Sequence, residues 1–148
     1  MVSRGSKIRV VNVEALINGN HFATYKGDGI VIATATGSTA YSLSLGGAIL
    51  SPSISNMIMK PIAAHTSLMG GLVIEKDVVI SLKASSNEDL SISVDGFIDN
   101  KIEDFDQIDV EIDNDNKAFF LRSENFENLY WNSLAQKLDL RKGDSISG

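Results

Sequence analysis

Between Gly27 and Leu50 the chain reads GDGIVIATATGSTAYSLSLGGAIL, and most of the side chains that could do chemistry lie in or beside this stretch. Asp28 offers a carboxylate between two glycines. Thr36, Ser38, Thr39, Tyr41, Ser42 and Ser44 offer hydroxyls, and from Ala33 to Ala40 no residue is larger than threonine. Small residues around Gly37 let a ligand or a second backbone come close. Ile30-Val31-Ile32 reads as a buried strand, and Thr36 or Ser38 as the cap of a short helix carrying Thr39, Ala40 and Tyr41 and ending at Gly46-Gly47. A strand, a glycine turn and a capped helix start would bring hydroxyls, free N–H groups and the positive helix end to one point, suited to an anion or another polar ligand.

Other candidates are weaker. Asp28 by itself reads as a turn residue, and Asp95 in Val94-Asp95-Gly96 as part of a hairpin turn. His65 has no second histidine or carboxylate at metal-ligand spacing, and His21 is assigned to a hairpin surface. The clusters Glu103-Asp104-Phe105-Asp106 and Asp113-Asn114-Asp115 lack the glycine and terminal glutamate of a calcium loop and read as solvated turns.

The elements that must position these residues are mostly strands. Ile8 to Ile17 and Phe22 to Tyr25 flank an Asn18-Gly19-Asn20 turn, which predicts a β-hairpin. Short β-rich runs follow at Met57–Ala64, Leu72–Ile74, Val78–Leu82, Leu90–Val94, Ile108–Ile112 and Ala118–Leu121, a rhythm that predicts a mainly β sandwich or barrel. Only Ser123 to Leu138 breaks it: Phe126, Leu129, Tyr130, Leu134 and Leu138 fall at helical spacing, which predicts a helix lying on the sandwich. With 148 residues, 43% of them hydrophobic, the chain can build one domain with its own core. It has no cysteine, which excludes disulfides and thiolate metal sites and fits a cytoplasmic setting. A net charge of -6 without a basic block argues against nucleic acid, and no apolar run is long enough to span a bilayer as a helix, so no membrane partner is expected.

The wording of the central stretch adds a resemblance. Gly27-Asp28-Gly29, Thr34-Ala35-Thr36-Gly37-Ser38-Thr39-Ala40-Tyr41-Ser42 and Gly46-Gly47 resemble the signature of the NAD kinase family, written GDG followed by TPTGSTAYS and GGP. The similarity continues through Ser51-Pro52, Pro61-Ile62, His65-Thr66, Val94-Asp95-Gly96 and a closing helix ending Gln136-Lys137-Leu138, roughly from Ile8 to Leu140. It implies the C-terminal, dinucleotide-binding domain of an NAD kinase: a β-sandwich over residues 1–140, with one short helix after Gly37, a C-terminal helix and a polar tail at 141–148. The implied activity is phosphoryl transfer from ATP or polyphosphate, with Mg²⁺, to the 2'-hydroxyl of the adenosine ribose of NAD, making NADP.

The resemblance also implies roles for single residues. Asp28 and Asp95 would face the dinucleotide, Thr36, Thr39, Ala40, Tyr41 and Ser44 would contact it, and Ala63 and His65 would line the adenine side. It implies a homo-oligomer, dimer or tetramer, in which Tyr41 and its neighbours complete a site shared between subunits. An upstream α/β domain with a GGDG loop, whose aspartate is taken as the catalytic base, and an Asn-Glu pair that holds the ribose are absent from this sequence. No catalytic residue is therefore expected in this chain, and the chain alone is expected to be inactive. Ala35, Ala48, Gly70-Gly71 and Phe97 depart from the family's usual residues, and Gly70-Gly71 replaces an Arg-Pro whose cation could meet a phosphate. The alternatives are the equivalent domain of a lipid kinase of diacylglycerol or sphingosine type, and a non-catalytic binding or oligomerisation module. The TGSTAYS segment favours the NAD enzymes.

Overall fold

The computed structural model describes residues 1–4, 10–64, 71–87, 89–96, 98–116 and 126–139. The chain divides into two compact units, Met1–Ile112 and Asp113–Gly148. The first contains the strands β1 (Val2–Arg4), β2 (Val11–Ile17), β3 (Asn20–Gly27), β4 (Gly29–Thr34), β5 (Met57–Ile62), β6 (Leu72–Ile74), β7 (Ile80–Ser85), β8 (Leu90–Val94), β9 (Ile98–Ile102) and β10 (Gln107–Val110). They form a six-stranded sheet in the order β6-β5-β4-β1-β8-β9 and a four-stranded sheet in the order β10-β7-β2-β3, with antiparallel pairing throughout.

Alternation decides which face of each strand is buried. Val11, Val13 and Ala15 of β2 and Ile80, Leu82 and Ala84 of β7 meet Val2, Ile30, Met57, Met59 and Leu90 of the larger sheet in one core. Each large aliphatic side chain so buried stabilises the fold by about 1.5–3 kcal/mol relative to exposure. Strand β5 is buried at all six positions because it is covered on both faces. Met57 and Met59 join the inter-sheet core, while Ile58 packs on the opposite face with Ala33, Ala35 and Leu50. That outer face of the six-stranded sheet is where the stretch after β4 lies.

The hairpin expected around Asn18 forms as read. Asn18 and Gly19 both take positive φ, 48° and 76°, and Ile17 pairs with Asn20, so the connection is a two-residue turn. Asn18 also ties this turn to the start of β7, accepting a hydrogen bond from the Val79 amide at 3.0 Å and donating its own amide to the Val79 carbonyl at 3.0 Å. The strands expected at Leu72–Ile74 and Leu90–Val94 appear with those bounds, and those near Val78 and Ile108 shift by a few residues. The run Ala118–Leu121 lies outside the described residues, as does Ile8.

Two strands were not anticipated. Val2–Arg4 is too short to show alternation, yet it fills the gap between β4 and β8, pairing Val2 with both Ile30 and Ile92. Ile98–Ile102 reads IDNKI, poor in strand formers, and is held as an edge by its ladder to β8 from Val94↔Ile98 to Leu90↔Ile102. In the second unit the helix α2 runs Phe126–Lys137, with the start expected at Ser123 outside the described residues. The Tyr130 and Trp131 rings meet edge to face with centroids 5.0 Å apart.

The passage from β3 to β4 carries the tightest constraint. Gly29 has φ +149°, and a Cβ there would collide with the Val2 carbonyl oxygen and lie 2.8 Å from Ser3 Cα. The obstacle is backbone of a neighbouring strand, which cannot swing away. Gly29→Ala is therefore expected to destabilise the first unit by ~3 kcal/mol. Thermal denaturation would show this as a melting point lower by roughly 10 °C or more; an unchanged melting point would contradict the packing described.

Candidate functional site

Asp28 is the single residue between β3, in the four-stranded sheet, and β4, in the six-stranded one. Its amide donates to the Ile62 carbonyl at 2.8 Å, which joins the crossing to the end of β5. The flanking glycines allow the neighbouring backbones in: a Cβ at Gly27 would stand 2.6 Å from the Ile62 oxygen and 2.8 Å from Ala64 Cα. Asp28 is half-buried and engaged in a polar interaction within the fold. The turn reading and the ligand reading are thus compatible, because the backbone makes the turn and the carboxylate is placed by it.

After β4 the chain makes a 3-10 turn at Gly37–Thr39 and then only one turn of helix, α1 (Tyr41–Ser44). This corrects the expected capped helix. Neither Thr36 nor Ala40 makes a side-chain cap, and a single turn has no aligned helix end to offer an anion. The hydroxyls serve otherwise. Ser38 Oγ, fully buried, donates to the Ala35 carbonyl at 2.6 Å and accepts the Leu50 amide at 3.0 Å, fastening the two ends of the stretch together. Thr39 Oγ1 donates to the Thr36 carbonyl at 3.1 Å. Gly46, at φ +78°, turns the chain back out.

The consequence is a division of residues along the stretch. Ala35, Ser38 and Ser42 point into the protein, and Ala35 and Leu50 pack on Ile58. Thr36, Thr39, Ala40, Tyr41 and Ser44 are all exposed, Tyr41 at 49%. The five residues of this stretch assigned to a ligand by resemblance are therefore the ones left on its free side.

Strand register places the remaining candidates. Gly29 pairs with Ile62, so Asp28 and Ala63 leave their strands at the same end of the sheet. Ala63 is exposed and holds φ +46°, a left-handed conformation costly for a residue with a Cβ. Val2 pairs with Ile30 on one side and Ile92 on the other, so Asp95, exposed in the β8–β9 turn with φ 51°, lies toward the opposite end, that of Thr34. Asp28 and Ala63 thus lie at one end of the six-stranded sheet and Asp95 toward the other, while the stretch after β4 folds back over the level of Ala33 and Ile58. His65 lies outside the described residues. Among the described residues no group of three His, Asp or Glu converges as a metal site.

Comparison with known proteins shows the family. A family profile described as the ATP-NAD kinase C-terminal domain matches residues 1–121. The chain belongs to the NAD kinase family. It is 37% identical over 139 residues to an NAD kinase of Caldanaerobacter subterraneus subsp. tengcongensis, covering 93% of this chain and 49% of that protein. It is 36% identical over 147 residues to an NAD kinase of Dehalococcoides mccartyi, covering 99% of this chain and 50% of that protein. The chain therefore spans about half the length of these relatives and corresponds to the C-terminal domain. Among solved structures it shares its fold with an NAD kinase from Archaeoglobus fulgidus in complex with ATP, with a TM-score of 0.75 and 23% identity over 90% of this chain and 52% of that one. It also shares it with yeast NADH kinase complexed with NADH, with a TM-score of 0.72 and 23% identity over 99% of this chain and 45% of that one.

Two buried serines of this domain should behave oppositely. Ser42 Oγ, in contrast to Ser38 Oγ, has no hydrogen-bond partner among the described residues. Ser38→Ala leaves the Leu50 amide and the Ala35 carbonyl without their partner and should cost about 1–3 kcal/mol, whereas Ser42→Ala removes an unsatisfied group and should be neutral or mildly stabilising. Paired urea titrations of the two variants would test this, and equal losses would refute the assignment.

Proposed function

We propose that this chain is the dinucleotide-binding half of an enzyme that transfers a phosphoryl group to the 2'-hydroxyl of the adenosine ribose of NAD, with ATP or polyphosphate as donor. The observation that carries the reading is the outward set Thr36, Thr39, Ala40, Tyr41 and Ser44, displayed on one side of a stretch whose inward residues are locked to the sheet. Membership of the NAD kinase family, and the NADH and ATP held by the two solved relatives, support it.

In this reading the chain binds and orients. Asp28 and Asp95 accept hydrogen bonds from amide or hydroxyl groups of the dinucleotide, the threonine and serine hydroxyls meet its polar edges, and Ala40 leaves room for it to lie close. Ala63 and His65 line the adenine side. Tyr41, half-exposed, offers a ring face and a hydroxyl, and in a homo-oligomer it would help complete a site shared between subunits. Transfer requires the ribose hydroxyl to lose its proton as its oxygen attacks the terminal phosphorus of the donor. The base for that step is assigned to the upstream GGDG aspartate of the family. A divalent cation accompanying ATP would neutralise phosphate charge, with the donor phosphates among its ligands; the described residues of this chain do not form a ligand set for it. The setting proposed is the cytoplasm.

Calorimetric titration of the chain with NAD and then NADP, after its mass in solution is measured, tests the reading. Saturable binding weakened roughly tenfold by Asp28→Ala is the expected result, a loss of about 1.4 kcal/mol. A folded, cooperatively melting chain that binds neither nucleotide, alone or with the upstream domain of a relative supplied in trans, would overturn it and favour a non-catalytic oligomerisation module. Turnover of NAD with ATP by the isolated chain is expected to be undetectable; an ordinary kinase rate would disprove the assignment of the catalytic base to the upstream part.

A further inference from the structure

Lys60 is buried, at 5% exposure, which is uncommon for a lysine. It stands on β5 between Met59, which faces the inter-sheet core, and Pro61, so the pleat puts it on the same outer face as Ile58, opposite Val31 of β4. Its side chain runs beside Gly71: a Cβ there would lie 3.3 Å from Lys60 Cδ and 3.0 Å from the Met59 carbonyl oxygen. Glycine at 71 thus leaves the lane that the lysine stem fills. Taking an ammonium out of water is costly unless it is partnered, and Lys60 does take part in a polar or electrostatic interaction within the fold. The charge is therefore held in place.

The location gives that charge a use. Ile58, two residues along β5, lies under the Thr34–Leu50 stretch, and Ile62, two residues the other way, receives the Asp28 amide. Along β5, Lys60 therefore stands between the level of the Thr34–Leu50 stretch at Ile58 and that of the Asp28 crossing at Ile62. A dinucleotide engaged at both ends brings its middle, the pyrophosphate, over the row of Val31 and Lys60. A charge in surroundings of low dielectric acts over several ångströms with little screening. We propose that Lys60 is a positioning residue that holds the pyrophosphate of the ligand by its field from beneath the outer face of the six-stranded sheet, in a chain whose net charge is -6. The inference deepens the functional reading above and rests on it.

The test compares Lys60→Met, which keeps an unbranched stem without the charge, with the unaltered chain in titrations of ADP-ribose, which carries the pyrophosphate, and adenosine, which does not. The variant is expected to bind ADP-ribose about tenfold more weakly and adenosine unchanged, with cooperative melting retained. Equal ADP-ribose affinity in the two proteins, or a parallel loss for both ligands, would overturn the proposal while saturable NAD binding by the unaltered chain leaves the functional reading standing. If Lys60→Met does not fold, Lys60→Gln is titrated in the same way. If the unaltered chain binds neither NAD nor ADP-ribose, alone or with the upstream domain of a relative supplied in trans, the functional reading fails and this inference falls with it.

Discussion

The structure depends on one passage of backbone, the crossing from the four-stranded to the six-stranded sheet through Gly27, Asp28 and Gly29. Both glycines stand against the backbone of neighbouring strands, Ile62 to Ala64 on one side and Val2 to Ser3 on the other. No side chain fits there, and the sandwich cannot open to admit one without breaking the β4 ladders to β1 and β5. A carboxylate at the single residue between the glycines is therefore set by main-chain geometry, with the Ile62 carbonyl as its fixed reference. A binding residue held this way is oriented by strands on either side of it, which is how rigid scaffolds keep functional groups in place.

The second device is the Ser38 hydroxyl. By donating to one end of the Ala35–Leu50 stretch and accepting from the other, it closes a loop that would otherwise cost conformational entropy to hold in one shape. Ile58, Ala33, Ala35 and Leu50 supply the apolar seat beneath. Sequence-adjacent residues are thereby sorted, Ser38 and Ser42 inward and Thr39, Tyr41 and Ser44 outward, so that a small polar segment is at once part of the core and a surface for a ligand. Such a segment costs little strain because its inward groups are small.

The chain belongs to the NAD kinase family and spans about half the length of the relatives it matches. In the function proposed above, binding and reaction fall to different halves, a division that phosphoryl transfer permits because it asks chiefly for positioning and charge neutralisation. Asp28 and Ala63 lie at one end of the six-stranded sheet and Asp95 toward the other, with the buried Lys60 at a level between them.

Much of this was legible in the residues. Alternation and the Asn18-Gly19 turn identified the β2–β3 hairpin, the β-rich runs identified a mainly β chain, and the ordered wording from Gly27 to Gly47 pointed to the family, because those features are local and each residue carries its own part of the signal. Three things were not. The short helix expected after Gly37 is present, but without the cap read at Thr36 or Ser38, since the Ser38 hydroxyl is bound to Ala35 and to Leu50, twelve residues away in the second case. The strands Val2–Arg4 and Ile98–Ile102 exist only through their neighbours in the six-stranded sheet, so propensity could not announce them. Sequence by itself determined the turns, the apolar faces and the family; tertiary structure alone decided which hydroxyls stay exposed, that Asp28 bridges two sheets and that Lys60 is buried, since those depend on which strands lie side by side.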